Sequence, residues 1–174
     1  NLISLMKSML NDEFTSFTTY CHKSFTNNFF SLARFSSQTW FTSRKNWNNF
    51  NLETMRNINL TSEQESKIKQ NLGSDILRDF IFFKKGKLNT WAVPWNIFNF
   101  LNKRKMVYPP KSFVYNHSHL ESAERTKGIE FPYEIEINPP INLEHSKIVN
   151  NKKYLWHFHP LSRLNRRIKA FINK

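Results

Sequence analysis

The sequence predicts an α+β fold: a small mixed centre of short helices and a two-stranded hairpin, with an extended N-terminal arm and a basic C-terminal helix. Three observations carry this expectation. Capped, helix-spaced apolar residues fill 60–85. Phe131 to Ile137 alternates between apolar and polar positions. From Pro160 onward, apolar residues recur at helical spacing between cations.

The arm is expected over residues 1–59, ahead of a small α+β region over 60–174. From Phe14 to Leu52 there is no acidic residue, while Lys23, Arg34, Arg44 and Lys45 are present among many Phe, Ser, Thr and Asn. Within it, Asn28–Gln38 (NFFSLARFSSQ) has the composition of the end of a mitochondrial import presequence: hydroxyl-rich, acid-free, with an Arg shortly before Phe-Ser-Ser. The composition predicts an arm with few internal contacts, derived from an uncleaved signal, whose Phe residues dock on a partner.

Ser62 with Glu65 reads as a capping box, followed by Ile68 and Leu72 at helical spacing. Gly73 fits the end of that helix, Ser74 the cap of the next, and Asp75 its first turn. The second helix is expected to pack Ile76, Leu77, Phe80 and Ile81 inward and to end at Gly86. A basic, aromatic segment follows, interrupted by Pro94 and by Pro109-Pro110. Within it, Asn96 to Lys105 reads as a short helix with Ile97, Phe98 and Leu101 inward, and 118–127 has weak helical character.

In the alternating segment, Phe131, Tyr133, Ile135 and Ile137 share one face and Glu134 and Glu136 the other, ended by Pro139-Pro140. Tyr154 to Phe158 reads as a second short strand able to pair with it. The closing helix then places Leu161, Leu164, Ile168, Phe171 and Ile172 on one side.

Composition bounds the chemistry. Average usage of about 7% would give roughly twelve glycines, yet the chain has three, Gly73, Gly86 and Gly128. Phosphate-cradling loops and strained nucleophile turns are built around glycine, so no Walker, Rossmann or nucleophile-elbow pattern is present. The expectation is therefore a non-catalytic protein without a cofactor. The single cysteine, Cys21, permits no intrachain disulfide. No apolar run approaches the ~18 residues of a membrane span. The bias toward Asn, Lys, Phe and Ile follows AT-rich codons and suggests a protist-like or organelle-linked genome.

Charge points to a class of partner. The net charge of +13 is concentrated, because beyond the acid-free N-terminal stretch the acids stop twice more and the bases do not. Between Asp79 and Glu121 no carboxylate accompanies Lys84, Lys85, Lys87, Lys103, Arg104, Lys105 and Lys111. After Glu144 none accompanies Lys147, Lys152, Lys153, Arg163, Arg166, Arg167, Lys169 and Lys174. Such blocks repel themselves unless a polyanion lies against them. Trp91, Trp95, Tyr108 and Tyr115 in the first block, with Trp156 and Phe158 in the second, offer ring faces for unpaired bases. The RNA- or anion-contacting set is therefore expected to be Lys84, Lys85, Lys87, Lys103, Arg104, Lys105, Lys152, Lys153, Arg163, Arg166, Arg167 and Lys169.

The expected setting is a large mitochondrial assembly, in the matrix or on the matrix side of the inner membrane. The first expectation is a ribosomal protein on rRNA; the alternative is an accessory subunit of a respiratory-chain complex or ATP synthase, contacting its neighbours and cardiolipin. The pairs His117/His119 and His157/His159 have the spacing that presents two imidazoles from one strand face, but the expectation is that they hold no metal as a set.

Overall fold

The computed structural model describes residues 2–21, 28–114 and 149–150. They form an α+β fold. An opening helix, α1 (Leu2–Met9), precedes three strands: β1 (Phe14–Thr18), β2 (Phe30–Leu32) and β3 (Trp40–Thr42). Five helices follow: α2 (Arg44–Asn48), α3 (Leu52–Asn57), α4 (Ser62–Asn71), α5 (Ser74–Lys84) and α6 (Ala92–Leu101). The chain then returns through β4 (Lys105–Tyr108), and a two-residue strand β5 (Val149–Asn150) adds an edge. The strand order is β3-β1-β4-β2-β5, with β1–β3 and β2–β4 antiparallel and β1–β4 and β2–β5 parallel.

Cross-strand aromatic pairs fix the register. Phe30 lies opposite Tyr108 with ring centroids 5.2 Å apart and planes within 11°. Phe17 lies opposite Phe41 at 5.6 Å. Pairs of this kind stabilise a sheet beyond their buried area. Alternation along β4 sends Met106 and Tyr108 to the helix-covered face, where they meet Phe30, Leu32 and Trp95. Val107 points the other way, into a smaller cluster with Phe17 and Phe29, covered by Met9 and Phe113.

The segment expected to be an extended arm is therefore built into the centre of the fold. Phe17, Phe29 and Phe30 are buried, and two of the hydroxyls flanking Phe17 have partners, though the buried Ser16 hydroxyl has none among the described residues. Thr15 donates to Asn99 Oδ1 at 2.9 Å, and Thr18 donates to the Gln38 carbonyl at 2.8 Å. A hydroxyl satisfied in this way is compatible with burial, so Ser/Thr-rich composition does not oppose strand formation. Nor does residue 59 mark a boundary: Phe50 and Met55 pack with Ile68, Leu72, Leu77 and Phe80 in one cluster.

Helices α2, α3 and α4 begin where side-chain caps supply acceptors, whereas α5, with Gly73 in the N-cap position rather than the expected Ser74, and α6 have no side-chain cap. Ser43 caps α2, Asn51 caps α3, and Thr61 caps α4 with a reciprocal bond to Gln64. That capping box lies one residue before the expected Ser62–Glu65 pair. On α5 the buried face is Ile76, Leu77, Phe80 and Phe83, whereas Ile81, expected inward, is 38% exposed. Helix α6 starts before Pro94, which sits in the first turn, where its missing N–H costs nothing. The first bond there runs from Trp95 N to Trp91 O at 3.0 Å. The helix ends at Leu101 rather than reaching Lys105, which already belongs to β4. Its Trp95 packs toward the sheet and its Ile97 toward α5, so α6 is the layer between them.

The expected hairpin of Phe131–Ile137 with Tyr154–Phe158, the weakly helical 118–127 and the basic closing helix lie outside the described residues.

Candidate anion-binding surface

Among the described residues, the cations expected to bind a polyanion fall on two corners with the same backbone geometry. At the end of α5, Gly86 adopts φ +69°, Gly86 N donates to Phe83 O at 3.0 Å, and Lys87 N donates to Phe82 O at 2.9 Å. At the end of α6, Lys103 adopts φ +57°, Lys103 N donates to Phe100 O at 3.0 Å, and Arg104 N donates to Asn99 O at 2.8 Å. Both are Schellman caps, one with glycine in the left-handed position and one without. The sequences KKGK and NKRK thus serve a local purpose: cations at a helix C-terminus face the unsatisfied carbonyl end of the dipole.

Side chains at these corners divide into engaged and free. Lys84 donates to the Ile58 carbonyl and lies 3.5 Å from Asn59 Oδ1, pinning the loop between α3 and α4. Lys105 bonds Glu13 at 2.7 Å. Arg104 lies over the Phe98 ring at 5.4 Å, with its Nη1 buried and without a hydrogen-bond partner. Lys85, Lys87 and Lys103 are exposed, and none has a carboxylate within 4.0 Å among the described residues.

Sequence reasoning missed Arg56. Its guanidinium lies 4.8 Å from the Phe83 ring centre, and its Nη1 would be 3.9 Å from a Cβ placed on Gly86. Arg56 therefore joins Lys84, Lys85 and Lys87 in one positive corner. Nothing local in the sequence singles it out, because Glu53 and Glu63 flank it. Lys152, Lys153, Arg163, Arg166, Arg167 and Lys169 lie outside the described residues.

The interleaved aromatics do not form a stacking surface in this part of the chain. Trp95 and Tyr108 are fully buried. Trp40, Trp47, Trp91 and Trp95 form one cluster, with Trp40 stacked on Trp91 at 5.0 Å and Trp47 against Trp95 at 5.4 Å. Tyr108 donates to the Arg34 carbonyl at 2.8 Å, and burial pushes its phenol well above the ordinary tyrosine range. These rings are needed inside because a small domain with few aliphatic residues fills its core with large ones. Tyr115, Trp156 and Phe158 lie outside the described residues.

Beside the α5 corner runs a groove of about 450 Å³ lined by Leu60, Leu77, Phe80 and Ile81 together with Asn59, Glu65, Lys84 and Lys85. Among the described residues no three His, Cys, Asp or Glu side chains come together as a metal site, and His117, His119, His157 and His159 lie outside them. No described helix is long and apolar enough to cross a membrane. Compared with protein-family models, curated proteins and solved structures, the chain matches none.

Proposed function

We propose that this chain is a non-catalytic structural subunit of a large mitochondrial assembly, a ribosomal protein that lies against rRNA. The observation that supports this most directly is the set of exposed cations Lys85, Lys87 and Lys103, none paired with a described carboxylate, on a chain with 26 basic and 13 acidic residues. Phosphates are the counter-charge that such a surface takes up most readily, with release of condensed counterions. Arg56, Lys84, Arg104 and Lys105 add to the field while serving the fold, and the cations of 152–169 extend the set. The role is electrostatic: the domain neutralises phosphate and fills space between neighbours.

The second reading is an accessory subunit of a respiratory-chain complex or ATP synthase at the matrix face of the inner membrane. It is favoured by the exposed apolar residues Trp47, Leu52, Ile81 and Phe82, which suit contact with protein neighbours. Purification of the native assembly with this chain, followed by nuclease treatment and sedimentation, separates the two. Co-sedimentation with rRNA that nuclease abolishes is expected; a nuclease-resistant membrane-complex particle overturns the ribosomal reading.

A further inference from the structure

We propose that the groove between the Asn59–Leu60 loop and α5 docks an acidic amphipathic segment of a neighbouring protein. Its apolar side chains sit against Leu60 and Ile81, above the buried Leu77 and Phe80, and a carboxylate meets Lys85. The volume of about 450 Å³ lies within the ~300–1,000 Å³ typical of ligand pockets, enough to seat side chains rather than a whole domain. Ile81 and Phe82, 38% and 43% exposed, continue the apolar surface from the groove onto the outer side of α5. The helix's own core face is Ile76, Leu77, Phe80 and Phe83, so its fold does not need Ile81 and Phe82 turned to water. An apolar strip contiguous with a groove marks an interaction site.

The chemistry of the lining selects the occupant. The exposed walls are aliphatic and the Phe80 ring is buried, so they offer little to phosphates or base faces, and RNA is not favoured here. A concave groove also fits a protruding segment better than the flat surface of a bilayer. Charge sets the sign of that segment. The Lys84 ammonium is held by Ile58 O and Asn59, which leaves the exposed Lys85 of the lining for an incoming anion. Lys87 and Arg56 raise the potential at the same corner, and Glu65 is the one acid of the lining. An apolar segment with flanking carboxylates matches both the walls and the rim.

This assignment stands apart from the RNA reading and is tested separately on the full-length chain. Selection of a displayed library of random 12-residue peptides against it is expected to enrich Leu, Ile or Phe flanked by Asp and Glu. Binding of the enriched peptide should fall at least tenfold in Ile81→Glu and severalfold in Lys85→Glu, while Ile81→Glu leaves binding of an RNA hairpin unchanged. Lys103→Glu should weaken the RNA and leave the peptide alone. Ile81→Gln provides the same readout with a milder change, should Ile81→Glu lose its native circular dichroism. Enrichment of basic or featureless peptides, no enrichment, peptide binding that survives both Ile81 variants, or RNA binding lost with them would each overturn the proposal.

Discussion

Arg34 and Asp75, 41 residues apart, form a two-pronged ion pair: Nη1 meets Oδ1 at 3.0 Å and Nη2 meets Oδ2 at 2.8 Å. Their side chains are 9% and 12% exposed. The same Nη1 donates to the carbonyl of Leu72, the C-cap residue of α4. One guanidinium just past β2 thereby closes the end of α4 and neutralises an acid in the first turn of α5. Gly73 makes room for it. With φ +103°, a Cβ there would stand 2.6 Å from Asp75 Oδ1 and 2.8 Å from Arg34 Nη1. The arginine that gives residues 28–38 the look of an import signal is thus the joint between the sheet and the helices.

Removing one partner of such a pair strands the other charge in a poorly hydrated site, at a cost of about 3–5 kcal/mol. Asp75→Ala and Arg34→Met are each expected to lower the unfolding free energy, read from urea titrations, by that measure. The double variant Arg34→Met/Asp75→Leu should lose less than the two singles added together, because neither charge is then left alone. Gly73→Ala should cost more than about 1 kcal/mol through its backbone angle and the crowding of the pair. Additive singles would mean that the two side chains do not act together.

The two Schellman corners allow an opposed pair of substitutions. Lys103 holds a left-handed conformation that favours glycine, so Lys103→Gly is expected to raise stability by about 0.5–1 kcal/mol. Gly86→Ala, at the matching position of α5, should lower it by about 1 kcal/mol. Thermal unfolding of both variants reads the two signs directly. A loss of stability in Lys103→Gly would show that the exposed lysine contributes more to the helix end than its backbone angle costs.

The α4–α5 hairpin was readable because its signals are local. A hydroxyl cap near 61–62, Gly73, Gly86 and apolar spacing all lie within about 25 residues and agree with one another, although the cap falls on Thr61 and Ser74 is the first residue of α5 rather than its cap. The sheet was not, for two reasons. Its strands are two to five residues long, with hydroxyls in place of clean apolar alternation, and β4 begins inside the basic run Lys103–Lys105. Its central pairing, β1 beside β4, joins residues such as Phe14 and Lys105, and no local pattern announces a partner so distant. On the candidate surface the cations were identified by the missing acids. Their division into engaged and free side chains depends on Glu13, Ile58 and Phe98, which only the folded chain brings near.

Composition alone predicts that the N-terminal third is the first region to be cut by a protease; the structure predicts the reverse for much of it. Strand β1 is hydrogen-bonded on both edges, to β3 and to β4, and strand β2 to β4 and β5. Amide exchange measured by mass spectrometry on the free protein should therefore protect 15–18 and 30–32 about as strongly as α5. Exposed segments with few buried apolar contacts, such as Glu63–Lys67 on α4, should exchange sooner. Rapid exchange across β1 and β2 would mean that the sheet forms only against a partner.

The RNA and membrane readings part most clearly in their response to salt. Neutralising about eight phosphates gives a log–log slope of affinity against salt near −6 to −7 for RNA. Reversing Lys85, Lys87 and Lys103 together to Glu removes three of the exposed cations, and the slope should flatten by about two to three. Reversal of Arg163, Arg166 and Arg167 should flatten it by a similar amount, whereas Glu134→Gln should leave it unchanged. Lys84→Glu behaves differently, because that ammonium holds the Ile58 carbonyl: stability falls along with affinity. Vesicles containing cardiolipin, titrated beside a structured RNA at matched ionic strength, supply the comparison. Phosphate is common to both probes, so the sign of charge alone does not decide; the exposed Ile81 and Phe82 add little to phosphate binding but would enter a bilayer. Tighter binding to vesicles than to RNA, weakened by Phe82→Glu, would sink the ribosomal reading and promote the inner-membrane one.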